Sequence, residues 1–111
     1  MPEWVRVAPL ADIPPGEKLA VAVAGEEIAI FNLDGTLYAI GDTCTHAQAS
    51  LAEGEFYDTI VECPLHGSAF EVTSGQALGL PALGNVGKYA VKAEDGYIYV
   101  NPTPVTPRAL R

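Results

Sequence analysis

The sequence predicts an all-β fold, a single-domain antiparallel sandwich or barrel, on three observations. Its apolar runs are short, they lack helical spacing, and glycine-containing turns separate them. A chain of 111 residues builds one hydrophobic core rather than two independent ones. With 49% apolar and 18% charged residues it has the balance of a folded globular protein, not of a disordered one.

The first strand signal is LAVAV, which sets Leu19, Val21 and Val23 on one face and alanines on the other. EEIAIFNLDGTLYAI then reads as two strands joined at Asp34-Gly35, where glycine accepts the positive φ of a tight hairpin. Both faces of the first of these are apolar, Ile28 and Ile30 against Ala29, Phe31 and Leu33, which predicts a central, buried strand. FYDTIVE and AFEV are the next strands, the second closing at Thr73-Ser74-Gly75. In KYAVKAEDGYIYV, Tyr89 and Val91 point inward and Lys88 and Lys92 outward before a turn at Asp95-Gly96 and a return through Tyr97 to Val100. The last stretch, NPTPVTPRALR, has three prolines and no periodicity. It reads as an extended tail, residues 101–111, with Arg108 and Arg111 as a small basic contact, behind a domain at residues 1–100.

No apolar run approaches the roughly 20 residues of a membrane helix, and MPEWVRVAPL lacks the basic start and long apolar stretch of a signal peptide. The expectation is a cytoplasmic protein with reduced cysteines and no membrane partner. A net charge of −8 disfavours nucleic acid. Between Lys18 and Lys88 there is no Lys or Arg, while Glu26, Glu27, Asp34, Asp42, Glu53, Glu55, Asp58, Glu62 and Glu71 fall in that interval. A partner docking there should present a basic face.

Every cysteine and histidine of the chain lies between Cys44 and His66: Cys44 and His46 as Cys-x-His, then, after sixteen residues, Cys63 and His66 as Cys-x-x-His. Two histidines at short, same-direction offsets from the only two cysteines arise by chance roughly once in several hundred arrangements. A disulfide would leave the histidines unexplained, and a catalytic Cys-His dyad would leave one pair idle. Zinc accepts two cysteines and two histidines, but its common sites place like ligands on one short turn. A metal centre remains the economical reading.

CTH and CPLH, with their spacer and the following GSAF, resemble the motif of the Rieske 2Fe-2S proteins. The resemblance implies a Rieske-type sandwich whose cluster-binding subdomain, about residues 42–83, is made of two ligand loops. It implies that Cys44 and Cys63 bind one iron through sulfur and His46 and His66 the other through ring nitrogen. Pro81, in LGLPALG, resembles the proline of the third loop that covers the cluster in that family. Neutral imidazoles in place of two thiolates remove two negative charges and raise the reduction potential.

High-potential members of the family carry an extra cysteine in each cluster loop, where this chain has Ala49 and Leu65. They also have a Ser two residues and a Tyr four residues after the second ligand histidine. Ser68 is kept, to donate to a bridging sulfide or to hold the turn, but Phe70 stands at the tyrosine position. The expected midpoint is therefore in the lower part of the roughly −150 to +300 mV range of Rieske centres. It should stay independent of pH near neutrality.

The resemblance narrows to the soluble Rieske ferredoxins of bacterial aromatic-ring dioxygenase systems. It implies a monomeric one-electron carrier between an NAD(P)H-dependent flavin reductase and a terminal oxygenase, docking through Ala47, Leu65 and Pro81 within an acidic rim. No histidines remain for a mononuclear iron site, and no Gly-x-Gly-x-x-Gly follows a strand, so neither oxygen activation nor hydride collection is expected of the chain itself. The alternatives are the small subunit of a reductase complex such as nitrite reductase, which would bury a large apolar face, and, more distantly, a zinc-stabilised binding module.

Overall fold

The computed structural model describes residues 4–43, 49–64, 69–78 and 86–103. Ten strands are formed among them: β1 Val5–Pro9, β2 Lys18–Val23, β3 Glu26–Leu33, β4 Thr36–Gly41, β5 Glu55–Tyr57, β6 Ile60–Glu62, β7 Ala69–Glu71, β8 Lys88–Tyr89, β9 Val91–Glu94 and β10 Tyr97–Val100. They form three antiparallel sheets, ordered β1-β10-β9, β2-β3-β4-β8 and β5-β6-β7. The only helical pieces among the described residues are two 3₁₀ turns, Leu10–Asp12 and Leu51–Glu53. The architecture is a layered sandwich, with no sheet among the described residues closed into a barrel.

Turn chemistry sets the hairpins. Ala24-Gly25, Asp34-Gly35 and Asp95-Gly96 each place two successive residues at positive φ, the geometry whose twist matches the flanking strands. Two of these turns were expected; the first uses an alanine at φ 52°, a conformation few non-glycine residues adopt.

β3 is the centre of the molecule, as its doubly apolar sequence predicts. Ile28 to Asn32 are buried in succession. Ile28 and Ile30 pack with Ile13, Val23, Ile98 and Val100 toward the β1-β10-β9 sheet. Ala29 and Phe31 pack with Leu51, Val61 and Phe70 toward β5-β6-β7. The four-stranded sheet is thus a middle layer with a core on each face. Buried Asn32 is satisfied on both sides of its amide, Nδ2 donating to the Ile13 carbonyl at 2.7 Å and Oδ1 accepting from Gly35 N–H at 2.7 Å.

Three elements differ from the expectation. FYDTIVE is a hairpin rather than one strand: Asp58 takes φ 52°, so β5 folds back on β6 and pairs Tyr57 with Ile60. KYAVK divides at Ala90, β8 pairing with β4 in the middle sheet and β9 with β10 in the outer one. The strand β1 had no local signal, because its partner is 90 or so positions away: Val5 faces Val100. The residues of the tail from 104 onward lie outside the described residues.

β4 and β8 are neighbours, with Ala39 opposite Tyr89 and Ile40 opposite Lys88. Everything between them, residues 42–87, is therefore one excursion that leaves and re-enters the middle sheet on adjacent strands, and it carries β5, β6 and β7.

Candidate metal centre

Each predicted ligand loop is closed at its base by strand pairing. The first lies between Thr43 and Ser50, which form an antiparallel bridge. The second lies between β6 and β7, whose last paired residues are Glu62 and Ala69. A third loop leaves after Leu78, whose N–H donates to the Ala69 carbonyl at 2.9 Å, and returns at Val86, whose N–H donates to the Gly75 carbonyl at 2.9 Å. Gly75 is at φ 81°, and a Cβ there would stand 2.3 Å from the Val86 carbonyl oxygen. Only glycine permits this seam.

The three loops spring from one apolar cluster. Leu51 follows the first, Cys63 opens the second, Phe70 follows it and Val86 follows the third, and all four are buried together. Cys63 is 2% exposed and not in a disulfide. A thiol in that setting, with its chain direction fixed by β6, suits a thiolate ligand screened from water by Val61 and Phe70. The donor chemistry of the loops, two sulfurs and two imidazoles, fits an iron-sulfur centre. Of the predicted site residues, Cys63 is the one among the described residues. Cys44, His46, His66, Ser68 and Pro81, and the contact residues Ala47 and Leu65, lie outside them.

Two further residues named in the sequence analysis are placed by the structure. Phe70 is fully buried in the core and brings a ring without a hydroxyl to its position. Ala49 packs against the same cluster as a small apolar residue.

The surface beside Cys63 is acidic. A cavity of about 360 Å³ is lined by Glu53, Gly54, Glu55, Glu62, Cys63 and Pro64. Glu62 of this lining accepts a 2.5 Å hydrogen bond from Tyr57, and that bond, followed by desolvation and the neighbouring carboxylates, holds the phenol above its ordinary pKa. The excursion carries six acidic residues, Asp42, Glu53, Glu55, Asp58, Glu62 and Glu71, and no Lys or Arg. Cations of the opposite sheet lie over rings instead: Arg6 over Tyr97 at 4.7 Å and Lys92 over Trp4 at 4.7 Å. The Lys and Arg residues of the chain thus all lie outside the excursion in sequence.

Two residues of the site were not singled out from the sequence. Asp42 is 2% exposed and accepts hydrogen bonds from Ser50 and Ala52 across the base of the first loop. Gly54 lets the turn at Leu51–Glu53 touch the backbone of β6. The signal for Asp42 was its place two residues before Cys44; Gly54 resembled any turn glycine.

Comparison with known proteins agrees with this geometry. The family model for the Rieske 2Fe-2S domain matches residues 3–90. The ferredoxin component of a naphthalene 1,2-dioxygenase system from Pseudomonas putida is 38% identical over 84% of this chain and 89% of its own. The ferredoxin subunit of 3-phenylpropionate/cinnamic acid dioxygenase from Escherichia coli K12 is 42% identical over 87% and 92%. Among solved structures, a chain from the complex of reduced oxygenase and oxidised ferredoxin of carbazole 1,9a-dioxygenase superposes with a TM-score of 0.86 at 33% identity, covering 94% of this chain and 97% of that one.

Proposed function

Because the chain belongs to the Rieske 2Fe-2S family, we propose that it is the ferredoxin of an aromatic-ring oxygenase system, taking electrons from an NAD(P)H-dependent flavin reductase and passing them to a Rieske-type terminal oxygenase. When bound, the cluster supplies a reversible one-electron couple. Cys44 and Cys63 are the proposed ligands of one iron and His46 and His66 of the other, with Ser68 the proposed hydrogen-bond donor or turn holder and Pro81 the proposed cover. The protein works as a monomer, with residues 42–83 as its cluster-binding region and the tail from 101 outside the domain.

The observation that carries this reading is the common origin of the loops. Leu51, Cys63, Phe70 and Val86 belong to one buried cluster, so strands rigidify the bases of all three loops and little reorganisation is required as charge changes. The acidic excursion supplies the docking field. With six carboxylates near the loops and none of the chain's cations among them, the end that presents the cluster is drawn to a basic partner face, and wrong orientations are disfavoured. Ala47, Leu65 and Pro81 are the proposed apolar contacts within that rim.

The test begins with voltammetry and electron paramagnetic resonance of the purified protein. A histidine-ligated signal and a midpoint in the lower part of the roughly −150 to +300 mV range are expected, followed by rapid oxidation on mixing with a purified aromatic-ring oxygenase. A colourless preparation without a couple refutes the reading. Size-exclusion with reductase subunits separates a transient carrier from a permanent subunit of a reductase complex, which would co-elute.

A further inference from the structure

Asp42 is a carboxylate removed from water, at 2% exposure. Such a group is costly to bury unless donors or a cation compensate it. No ion pair reaches it among the described residues, where the salt bridge formed is Lys92 with Glu94. Among the described residues its side chain is compensated by hydrogen bonds from the far side of the first ligand loop. Ser50 Oγ donates to Asp42 Oδ1 at 2.9 Å and Ala52 N–H to the same oxygen at 2.9 Å. Leu51 N–H donates to the Asp42 carbonyl at 2.7 Å, and Asp42 N–H donates to the Glu27 carbonyl at 2.9 Å.

Three consecutive residues, Ser50, Leu51 and Ala52, are thus held by one residue, which is itself tied to β3. Helical turns leave their first N–H groups without intrahelical acceptors. In the turn Leu51–Glu53 the residue preceding it, Ser50, makes no side-chain cap. Asp42 supplies the acceptors from across the loop. With the bridge Thr43 to Ser50 just beyond, the side chain and backbone of this one residue staple the ends of the segment that carries Cys44 and His46.

Resting on the reading of that segment as a ligand loop, we propose that Asp42 is a positioning residue of the cluster site. Its Oδ1 fixes the separation and direction of the two ends of the first loop and so sets how firmly iron is held there. The property that matters is the acceptor atom, since the bonds from Ser50 and Ala52 converge on Oδ1.

The experiment compares holoprotein of wild type, Asp42→Ala, Asp42→Asn and Ser50→Ala by the rate of iron release to a ferrous chelator and by the g-values of the reduced state, with circular dichroism reporting the fold. Asp42→Ala is expected to release iron roughly 10- to 100-fold faster, the range seen when groups that orient metal ligands are removed, with altered g-values and an unchanged β spectrum. Asp42→Asn keeps an Oδ1 for the same two donors and is expected to restore both readouts. Ser50→Ala, lacking one donor, should fall between. If Asp42→Ala does not fold, Ser50→Ala and Asp42→Asn still decide: faster release in the first with rescue in the second supports the staple. Wild-type release and g-values in Asp42→Ala or in Ser50→Ala, or failure of Asp42→Asn to rescue, would overturn it. A wild-type protein without a histidine-ligated cluster signal would instead overturn the functional reading.

Discussion

A Cβ on Gly54 would stand 1.7 Å from the carbonyl oxygen of Glu62. The turn Leu51–Glu53 therefore crosses β6 at backbone contact, next to the residue that precedes Cys63, and it hands the chain directly into β5. The contact joins the exit of the first loop to the entry of the second. Relief would require backbone rather than a flexible side chain to move, so Gly54→Ala is expected to destabilise the protein by at least the roughly 1–3 kcal/mol typical of overpacking. It should also lower the iron content of the purified protein. Chemical denaturation together with iron analysis checks both, and a variant with wild-type values in each would show that the two loops are not coupled through this point.

Tyr89 of β8 reaches across the middle sheet to Glu26, the first residue of β3. It is buried at 5% exposure, and its hydroxyl donates to Glu26 at 3.3 Å. Burial first, and then the charge and hydrogen bond of Glu26, raise its pKa above the ordinary 10. A phenol with a folded-state pKa above its unfolded value contributes stability that is fully present below pH 10 and is lost as pH rises through the folded value. Melting temperature should therefore fall above pH 10 in wild type and fall less steeply in Tyr89→Phe. Ultraviolet titration should show one late-ionising phenol fewer in the variant. Identical alkaline slopes would contradict the assignment.

Much of this architecture was legible because the signals are local. Asp34-Gly35 and Asp95-Gly96 announce their own turns, and the two apolar faces of Ile28 to Leu33 announce a strand between two cores. The Cys63-to-His66 offset is likewise a local, four-residue pattern, and of that pair the structure describes Cys63, buried and outside any disulfide. What the sequence does not announce depends on distant partners. Val5–Pro9 becomes a strand only against Tyr97–Val100, and Ala90 marks a change of sheet that no local pattern carries. Asp58 turns the chain without a glycine. In the sequence Asp42 is one more acidic residue of the interval without Lys or Arg, whereas its role depends on donors eight and ten residues further on.

Phe31 presents a test of the layered core. It is fully buried on the side of β3 that faces the excursion, and its ring meets Phe56 of β5 edge-on, with centroids 4.9 Å apart and planes at 61°. Truncation to alanine should cost about 3–5 kcal/mol. A double-mutant cycle with Phe56→Ala should return a coupling of about 0.5–1.5 kcal/mol. Denaturant titration of the four proteins measures it, and additivity within error would mean that the excursion is not held to the middle sheet by this pair.

The Lys- and Arg-free excursion leads to a kinetic prediction. Glu53 and Glu55 border the cavity beside Cys63, whereas Asp12 is exposed in the turn Leu10–Asp12, next to β10, where Leu10 N–H reaches the Gly96 carbonyl. Full electrostatic steering accelerates association by roughly 10- to 1000-fold at low ionic strength. Neutralising two carboxylates of the rim, Glu53→Gln with Glu55→Gln, should remove a several-fold part of that acceleration in stopped-flow electron transfer to an oxygenase. The difference from wild type should shrink as salt is added, because surface charges more than about 10 Å apart are screened at 0.1 M. Asp12→Asn changes the net charge by one unit without touching the rim and should leave the rate close to that of wild type. Equal slowing by Asp12→Asn and by the rim variants, counted per charge, would mean that net charge rather than its placement guides the encounter. A salt-independent rate would mean that the partner approaches a different face.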